Sequence, residues 1–283
     1  MGSGIAEVAA KAGFDVVVRE VSDNLIKAGR SRIRKSLDRA VKRGKLTATD
    51  RDAAWSRLRF STEISDLADR HLVIEAIVEE IGAKNELFSA LDGLCGPDTI
   101  FASNTSSLKI TDMAAATGRP DRVVGLHFFN PVPVMELVEV VRTIATSDAA
   151  FNAAYAFAEA LGKRPIVAKD NSGFVVNLLL VPYLLDAIRQ LERGVASIED
   201  IDRAMTLGLG YPMGPLTLCD FVGIDTVYRI SEIMFDEYRE GRYAAPSLLK
   251  RMVSMGRFGR KNGKGFYDWS GDQPTPLPLF PRR

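Results

Sequence analysis

The chain holds two histidines, and one of them lies where chemistry is expected. His127 falls near the end of the apolar run Val123-Val124-Gly125-Leu126-His127-Phe128-Phe129-Asn130-Pro131, just before a proline turn. An imidazole buried there must find a polar partner. Glu139 interrupts a second apolar run, Leu137-Val138-Glu139-Val140-Val141. If the turn at Pro131 to Pro133 lays the two runs side by side, the pair can meet. Such a pair suits oxidation of a secondary alcohol by a nicotinamide. A base must take the hydroxyl proton while hydride leaves the same carbon, and imidazole titrates near neutrality. A carboxylate behind it fixes the tautomer and stabilises the imidazolium. On pattern alone, a structural histidine beside a strand-edge glutamate is the alternative. His71, in Asp69-Arg70-His71 at a strand edge, reads as a surface residue.

The elements around these runs alternate. Gly2-Ser3-Gly4 leads into a helical pattern of Ile5, Val8, Ala9 and Ala12, ended by Gly13. Asp15 to Glu20 reads as a strand closing on an acid, and 22–44 as a long basic helix with Ile33, Leu37 and Val41 on one face. Strands are expected at 58–61, 72–77, 99–103, 122–128, 136–142 and 164–168, with helices at 80–94 and 148–161. This is the pattern of a mostly parallel α/β sheet. After Asp170 the character changes: 173–193, 197–207, 215–240 and 246–256 read as helices, with no convincing strand between them. The expected domains are therefore 1–169 and 170–269. Residues 270–283 form an irregular tail, with four prolines between Gln273 and Arg283.

A helix opened by glycines and a strand ending in an acid make up the second half of a βαβ dinucleotide unit. Gly2 takes the place of the third glycine of that motif. Glu20 can accept hydrogen bonds from the adenosine ribose and would repel a 2′-phosphate, which favours NAD. The neighbouring Arg19 could serve a 2′-phosphate instead, so NADP stays open. The first strand and its Gly-x-Gly turn do not occur in the sequence. Such a strand is central to the sheet, and its loss would leave backbone groups unpaired. We therefore expect that Met1 is not the natural start, or that the chain is truncated.

Bulk composition narrows the classes. With 37 Lys and Arg against 36 Asp and Glu, nothing points to nucleic acid or to a membrane surface. The most apolar run, Phe174 to Leu185, is too short to span a bilayer. Cys95 and Cys219 match no metal spacing, so no metal is expected; they read as buried free thiols in a reducing, cytoplasmic setting. Between Lys27 and Arg59 there are twelve Lys and Arg and three Asp and Glu. That basic helix could receive nucleotide phosphates, Lys35 and Arg34 among its candidates, although charged helix faces are commonly just solvated.

Several blocks carry a family resemblance. They are Ala102-Ser103-Asn104-Thr105-Ser106-Ser107-Leu108, the His127 and Glu139 runs, Asp170-Asn171-Ser172-Gly173-Phe174-Val175-Val176-Asn177, Gly208-Leu209-Gly210-Tyr211-Pro212-Met213-Gly214-Pro215, and Gly263-Lys264-Gly265-Phe266-Tyr267. In this order they resemble the signature blocks of 3-hydroxyacyl-CoA dehydrogenases, over essentially residues 1–269; the short-chain and 3-hydroxybutyryl-CoA enzymes look most similar. The resemblance implies a Rossmann-type doubly wound sheet followed by an all-α C-terminal domain that completes the cleft and forms a homodimer. It implies reversible hydride transfer from C3 of an (S)-3-hydroxyacyl-CoA to NAD. His127 would be the general base and Glu139 its partner. Ser106 and Asn177 would hydrogen-bond the reacting oxygen and orient the pair. Asn130 would lie near the nicotinamide and the thioester, and Glu79 and Lys84 would line the cofactor site. Two rivals remain: a related hydroxyacid dehydrogenase, although such enzymes usually place a lysine in the catalytic role, and a non-catalytic member of the family kept for structure or for binding a CoA ester or nucleotide.

Overall fold

The computed structural model describes residues 1–277. The chain divides into two compact units, Met1–Phe174 and Val175–Arg283. Each is described by itself.

In the first unit, α1 (Gly2–Lys11) runs into β1 (Val16–Arg19), followed by α2 (Asp23–Lys42), α3 (Ala48–Ser56) and β2 (Leu58–Ser61). Next come β3 (Leu72–Glu75), α4 (Ile81–Leu94), β4 (Ile100–Ser103), α5 (Ile110–Ala114), β5 (Val123–Phe128), β6 (Leu137–Arg142), α6 (Asp148–Ala160) and β7 (Arg164–Lys169). Five strands form one sheet in the order β3-β4-β5-β6-β7, and β1 pairs with β2 in a separate two-stranded sheet. All pairings are parallel except β5 with β6, which is antiparallel. A parallel sheet covered by helices on both faces accounts for strands that read as unbroken apolar runs: every residue of β4 and β5 is buried.

The strands of this Rossmann-type unit thus fall into two sheets, β1-β2 and β3 to β7. The short α3 and α5 were not foreseen. Thr47 caps α3, its side chain accepting from the Asp50 N–H at 3.0 Å. Asp170 caps α5, accepting from the Ile110 and Thr111 N–H groups at 2.8 and 2.7 Å.

The second unit holds α7 (Val176–Glu192), α8 (Ile198–Leu209), α9 (Pro215–Val222), α10 (Ile224–Tyr238) and α11 (Ser247–Ser254), then the short strands β8 (Tyr267–Asp268) and β9 (Thr275–Pro276). Three expectations are corrected here. The expected helix over 215–240 is two helices, because Gly223 between them has a φ of 101° that no helix admits. The helix expected from 173 starts at Val176, after Gly173 and Phe174 both take positive φ. Part of the expected irregular tail is ordered: Thr275 and Pro276 pair with Asp268 and Tyr267. The rest of that tail, from Pro278, lies outside the described residues.

The core of the second unit gathers Leu184, Leu185, Ile188, Leu216, Ile224, Met234, Leu249 and Phe266. Two buried aspartates tie its helices to the C-terminal strands. Asp220 accepts from the Phe266 and Tyr267 N–H groups and the Trp269 indole, each at 2.9 Å. Asp202 accepts from the Leu216 and Thr217 N–H groups and the Tyr267 hydroxyl. No helix among the described residues is long and apolar enough to cross a membrane.

Candidate active site

The site is built on the reversal between β5 and β6. Antiparallel register sets His127 directly opposite Glu139. His127 Nδ1 lies 2.6 Å from Glu139 Oε2. The imidazole is 4% exposed and the glutamate 0%, so little water competes for the contact. A carboxylate only accepts, so Nδ1 carries the proton and the lone pair of the neutral ring sits on Nε2. The Ser106 hydroxyl is 3.1 Å from Nε2 and donates to it. Phe129 and Phe174 stand against the imidazole, ring centres 4.6 and 5.6 Å away. The expected meeting of the two strands therefore occurs.

Ser106 belongs to the loop after β4, and that loop is held from several sides. Glu79 Oε1 accepts from the Ser106 and Ser107 N–H groups at 3.0 and 3.3 Å and from the Thr105 hydroxyl. Asn104 Oδ1 accepts from the Phe128 N–H at 2.9 Å, stitching the loop to β5 beside His127. Burial pushes the Glu79 carboxyl up, but the Thr105 hydroxyl, the Lys84 charge and the Ser106 N–H outweigh it, leaving it below the ordinary carboxylate range. Lys84 is 1% exposed and lies between Glu75 Oε1 (2.6 Å) and Glu79 Oε2 (3.3 Å). It sits beneath the loop rather than on an open surface.

A second group of expected residues lines a cavity of about 370 Å³ in the same unit, formed by Gly2, Ser3, Glu20, Arg32, Asn130 and Pro131 among others. The N-terminus of α1 opens into it, where backbone N–H groups attract anions. Gly2 is not the glycine that space demands, since a Cβ there would meet Ala76 Cβ at an ordinary 3.8 Å. Gly4 is: its Cβ would fall 2.9 Å from Val132 Cβ, in the turn that carries Asn130. Arg19 turns its Nε to the Thr62 carbonyl at 3.2 Å. On α2, Lys35 is exposed, and Arg34 is held by Asp38 and Asp52 and lies over Trp55. His71 is exposed. Asn177 is buried in the first turn of α7, in the second unit. No cluster of three or more His, Cys, Asp or Glu side chains able to hold a metal occurs among the described residues.

The residues that sequence reasoning did not single out are Glu75, Asp170, Arg32 and Gly4. Glu75 left a signal, an acid inside the apolar run Leu72-Val73-Ile74-Glu75-Ala76-Ile77. Gly4 and Asp170 fall inside motifs that the sequence does show, without a role of their own, and Arg32 is one of many basic residues in its helix.

Comparison with known proteins decides the family. Residues 1–171 match the model of the 3-hydroxyacyl-CoA dehydrogenase NAD-binding domain, and 173–269 match that of the C-terminal domain. The chain belongs to the 3-hydroxyacyl-CoA dehydrogenase family. It is 55% identical over 271 residues to a 3-hydroxybutyryl-CoA dehydrogenase of Mycobacterium tuberculosis, covering 95% of each chain. The fold matches the crystal structure of M. tuberculosis FadB2 with a TM-score of 0.94, at 54% identity over 95% of each chain. It matches that of (S)-3-hydroxybutyryl-CoA dehydrogenase PaaH1 from Ralstonia eutropha with a TM-score of 0.92, at 43% identity over 96% of each chain.

The residues present fit the cofactor of the family. The cavity joins a helix N-terminus, suited to a pyrophosphate, to the carboxylate of Glu20, suited to ribose hydroxyls. The Glu20 carboxylate on this cavity suits the free ribose hydroxyls that NAD carries.

Proposed function

We propose that this 3-hydroxyacyl-CoA dehydrogenase oxidises C3 of short (S)-3-hydroxyacyl-CoA esters, 3-hydroxybutyryl-CoA among them, with His127 as the base. The observation that carries the reading is the His127 ring held by a buried carboxylate at Nδ1, with Nε2 turned to a serine hydroxyl. NAD supplies the hydride acceptor when bound. His127 Nε2 takes the proton of the substrate hydroxyl. Glu139 keeps the productive tautomer and stabilises the imidazolium as it forms. Ser106 gives its hydrogen bond to the reacting oxygen as the C3–O bond acquires carbonyl character, and Asn177 assists it. In reverse, the imidazolium returns the proton and the 3-oxoacyl ester is reduced. Glu20 and Gly2 serve the adenosine and pyrophosphate. Asn130 serves the nicotinamide and the thioester, and Glu79 and Lys84 shape that end of the site. The exposed basic face of α2, Lys35 included, is suited to the phosphates of coenzyme A.

Replacing His127 by Gln should lower kcat by about 10²- to 10⁴-fold and spare binding of the CoA ester. Unchanged turnover refutes the base. Rates on acetoacetyl-CoA against free 3-hydroxy acids separate this reading from a hydroxyacid dehydrogenase, and absence of turnover on both would favour a binding protein.

We further infer a homodimer formed through the second unit and a cytoplasmic location. Leu179, Leu207 and Leu209 are 74%, 78% and 63% exposed, apolar surface suited to a partner copy. Both cysteines are free, as a reducing compartment would keep them. Sedimentation of the wild type beside Leu207→Glu tests the dimer.

A further inference from the structure

Glu75 is the last residue of β3, and both its carboxylate oxygens are in use. Oε1 accepts from Lys84 Nζ at 2.6 Å and from the Ile77 N–H at 2.7 Å. Oε2 accepts from the Ser103 hydroxyl at 2.6 Å. The Lys84 and Glu75 side chains are each 1% exposed. Two routes lead from this carboxylate to one loop. Through Lys84 it reaches Glu79, which holds the Ser106 and Ser107 N–H groups. Through Ser103 it reaches the Thr105 N–H, which donates to Ser103 Oγ at 3.2 Å. The first route ends at Ser106, whose hydroxyl faces His127 Nε2, and the second at its chain neighbour Thr105.

A buried ammonium shared by two carboxylates is a balance. Each acid draws Lys84 toward itself, and the position of Glu79 depends on how much of that charge Glu75 keeps. If Glu75 loses its charge, Lys84 moves onto Glu79. Glu79 then turns from the loop amides toward the ammonium, and the Ser106 hydroxyl loses its register with the imidazole.

We propose that Glu75 is a positioning residue for proton transfer: by sharing Lys84 with Glu79 and by holding Ser103, it sets the Ser106 hydroxyl against His127 Nε2. Glu75 touches neither the imidazole nor the reacting atoms. The inference rests on the reading of His127 as the base.

The test uses Glu75→Gln in the full chain. The amide keeps an oxygen for Lys84 and Ile77 and can donate to Ser103, so shape and contacts survive while the charge goes. The first readout needs neither cofactor nor turnover. With two histidines in the chain, the ¹⁵N resonances of His127 and His71 can be followed against pH in the free protein. We expect the His127 titration midpoint to move by about half a pH unit or more while exposed His71 stays put. The second readout is kinetic: kcat should fall about tenfold or more with KM for the CoA ester within about twofold. The third is a double-mutant cycle. If Glu75 acts through Ser106, E75Q should cost little further in an S106A background. A His127 titration identical to that of the wild type, or an undiminished loss in the S106A background, overturns the proposal. Should E75Q fail to fold, the same measurements on Ser103→Ala decide in the same way, with smaller shifts expected. Activity surviving in His127→Gln would sink the base assignment alone, since the resonance shift does not depend on it.

Discussion

His127 and Glu139 are cross-strand partners in an antiparallel pair, so their 2.6 Å contact is a property of the sheet register. A slip of one residue would send the two side chains to opposite faces. Glu139→Gln keeps the shape but can present its amide N–H₂ to Nδ1, which selects the wrong tautomer. We expect kcat to fall about 10²- to 10⁴-fold, with CoA-ester affinity and secondary structure intact. Steady-state kinetics beside circular dichroism checks this.

Glu79 supplies a pH-dependent term. Its folded carboxyl lies below the ordinary range, with burial opposed by Thr105, Lys84 and the Ser106 N–H. A depressed carboxyl stabilises the fold above its unfolded-state value and loses that contribution as pH falls through the folded-state value. The stability difference between wild type and Glu79→Gln should therefore be constant near neutral pH. It should close as acid passes below the usual glutamate range, about pH 4. Urea denaturation at a series of pH values measures it, and a gap that widens in acid would contradict the assignment.

Gly265 has no room for a side chain. A Cβ there would lie 2.0 Å from Asp220 Oδ1, inside the carboxylate that gathers Phe266, Tyr267 and Trp269. Gly265→Ala must displace that buried acid and unpair its donors, so a loss of about 3 kcal/mol is expected. Trp55 and Trp269 lie in different units, so unfolding followed by Trp269 fluorescence in a Trp55→Phe background reports on the second unit alone.

Both thiols should be inert in the native protein. Burial pushes the Cys219 thiol well up, with Asp220 and Asp202 adding to it, and the side chain is 0% exposed. Cys95 is raised by burial too, and it donates to the Leu67 carbonyl. A thiol reagent such as Ellman's should titrate neither until denaturant is added. A native thiol that reacts within minutes would show an opening that these packed surroundings do not provide.

The pairing of His127 with Glu139 was legible in the sequence for a physical reason. An apolar strand carrying one polar residue, a short proline turn and a second such strand leave few registers, and only one pairs the polar residues. The Lys84 network was not legible. Glu75, Glu79, Ser103 and Ser106 come together across the ends of adjacent strands, and no local period says which acid takes the lysine. Element type was readable wherever periodicity ran long, as in α2 and α7. It failed where one backbone angle decides, as at Gly223, which breaks an otherwise continuous apolar pattern. The pairing of β8 with β9 depends on two residues in each strand, too few to leave an alternating signal.

The reversal of β6 against β5 has a practical side. His127 and Glu139 face each other on one rung of a buried ladder, so their contact is set by the sheet and not by surface segments. An engineering library that varies the exposed face of α2 would leave that pairing untouched. Under the proposed function, directed evolution toward other acyl groups would then vary binding while the His127–Glu139 contact stays in place.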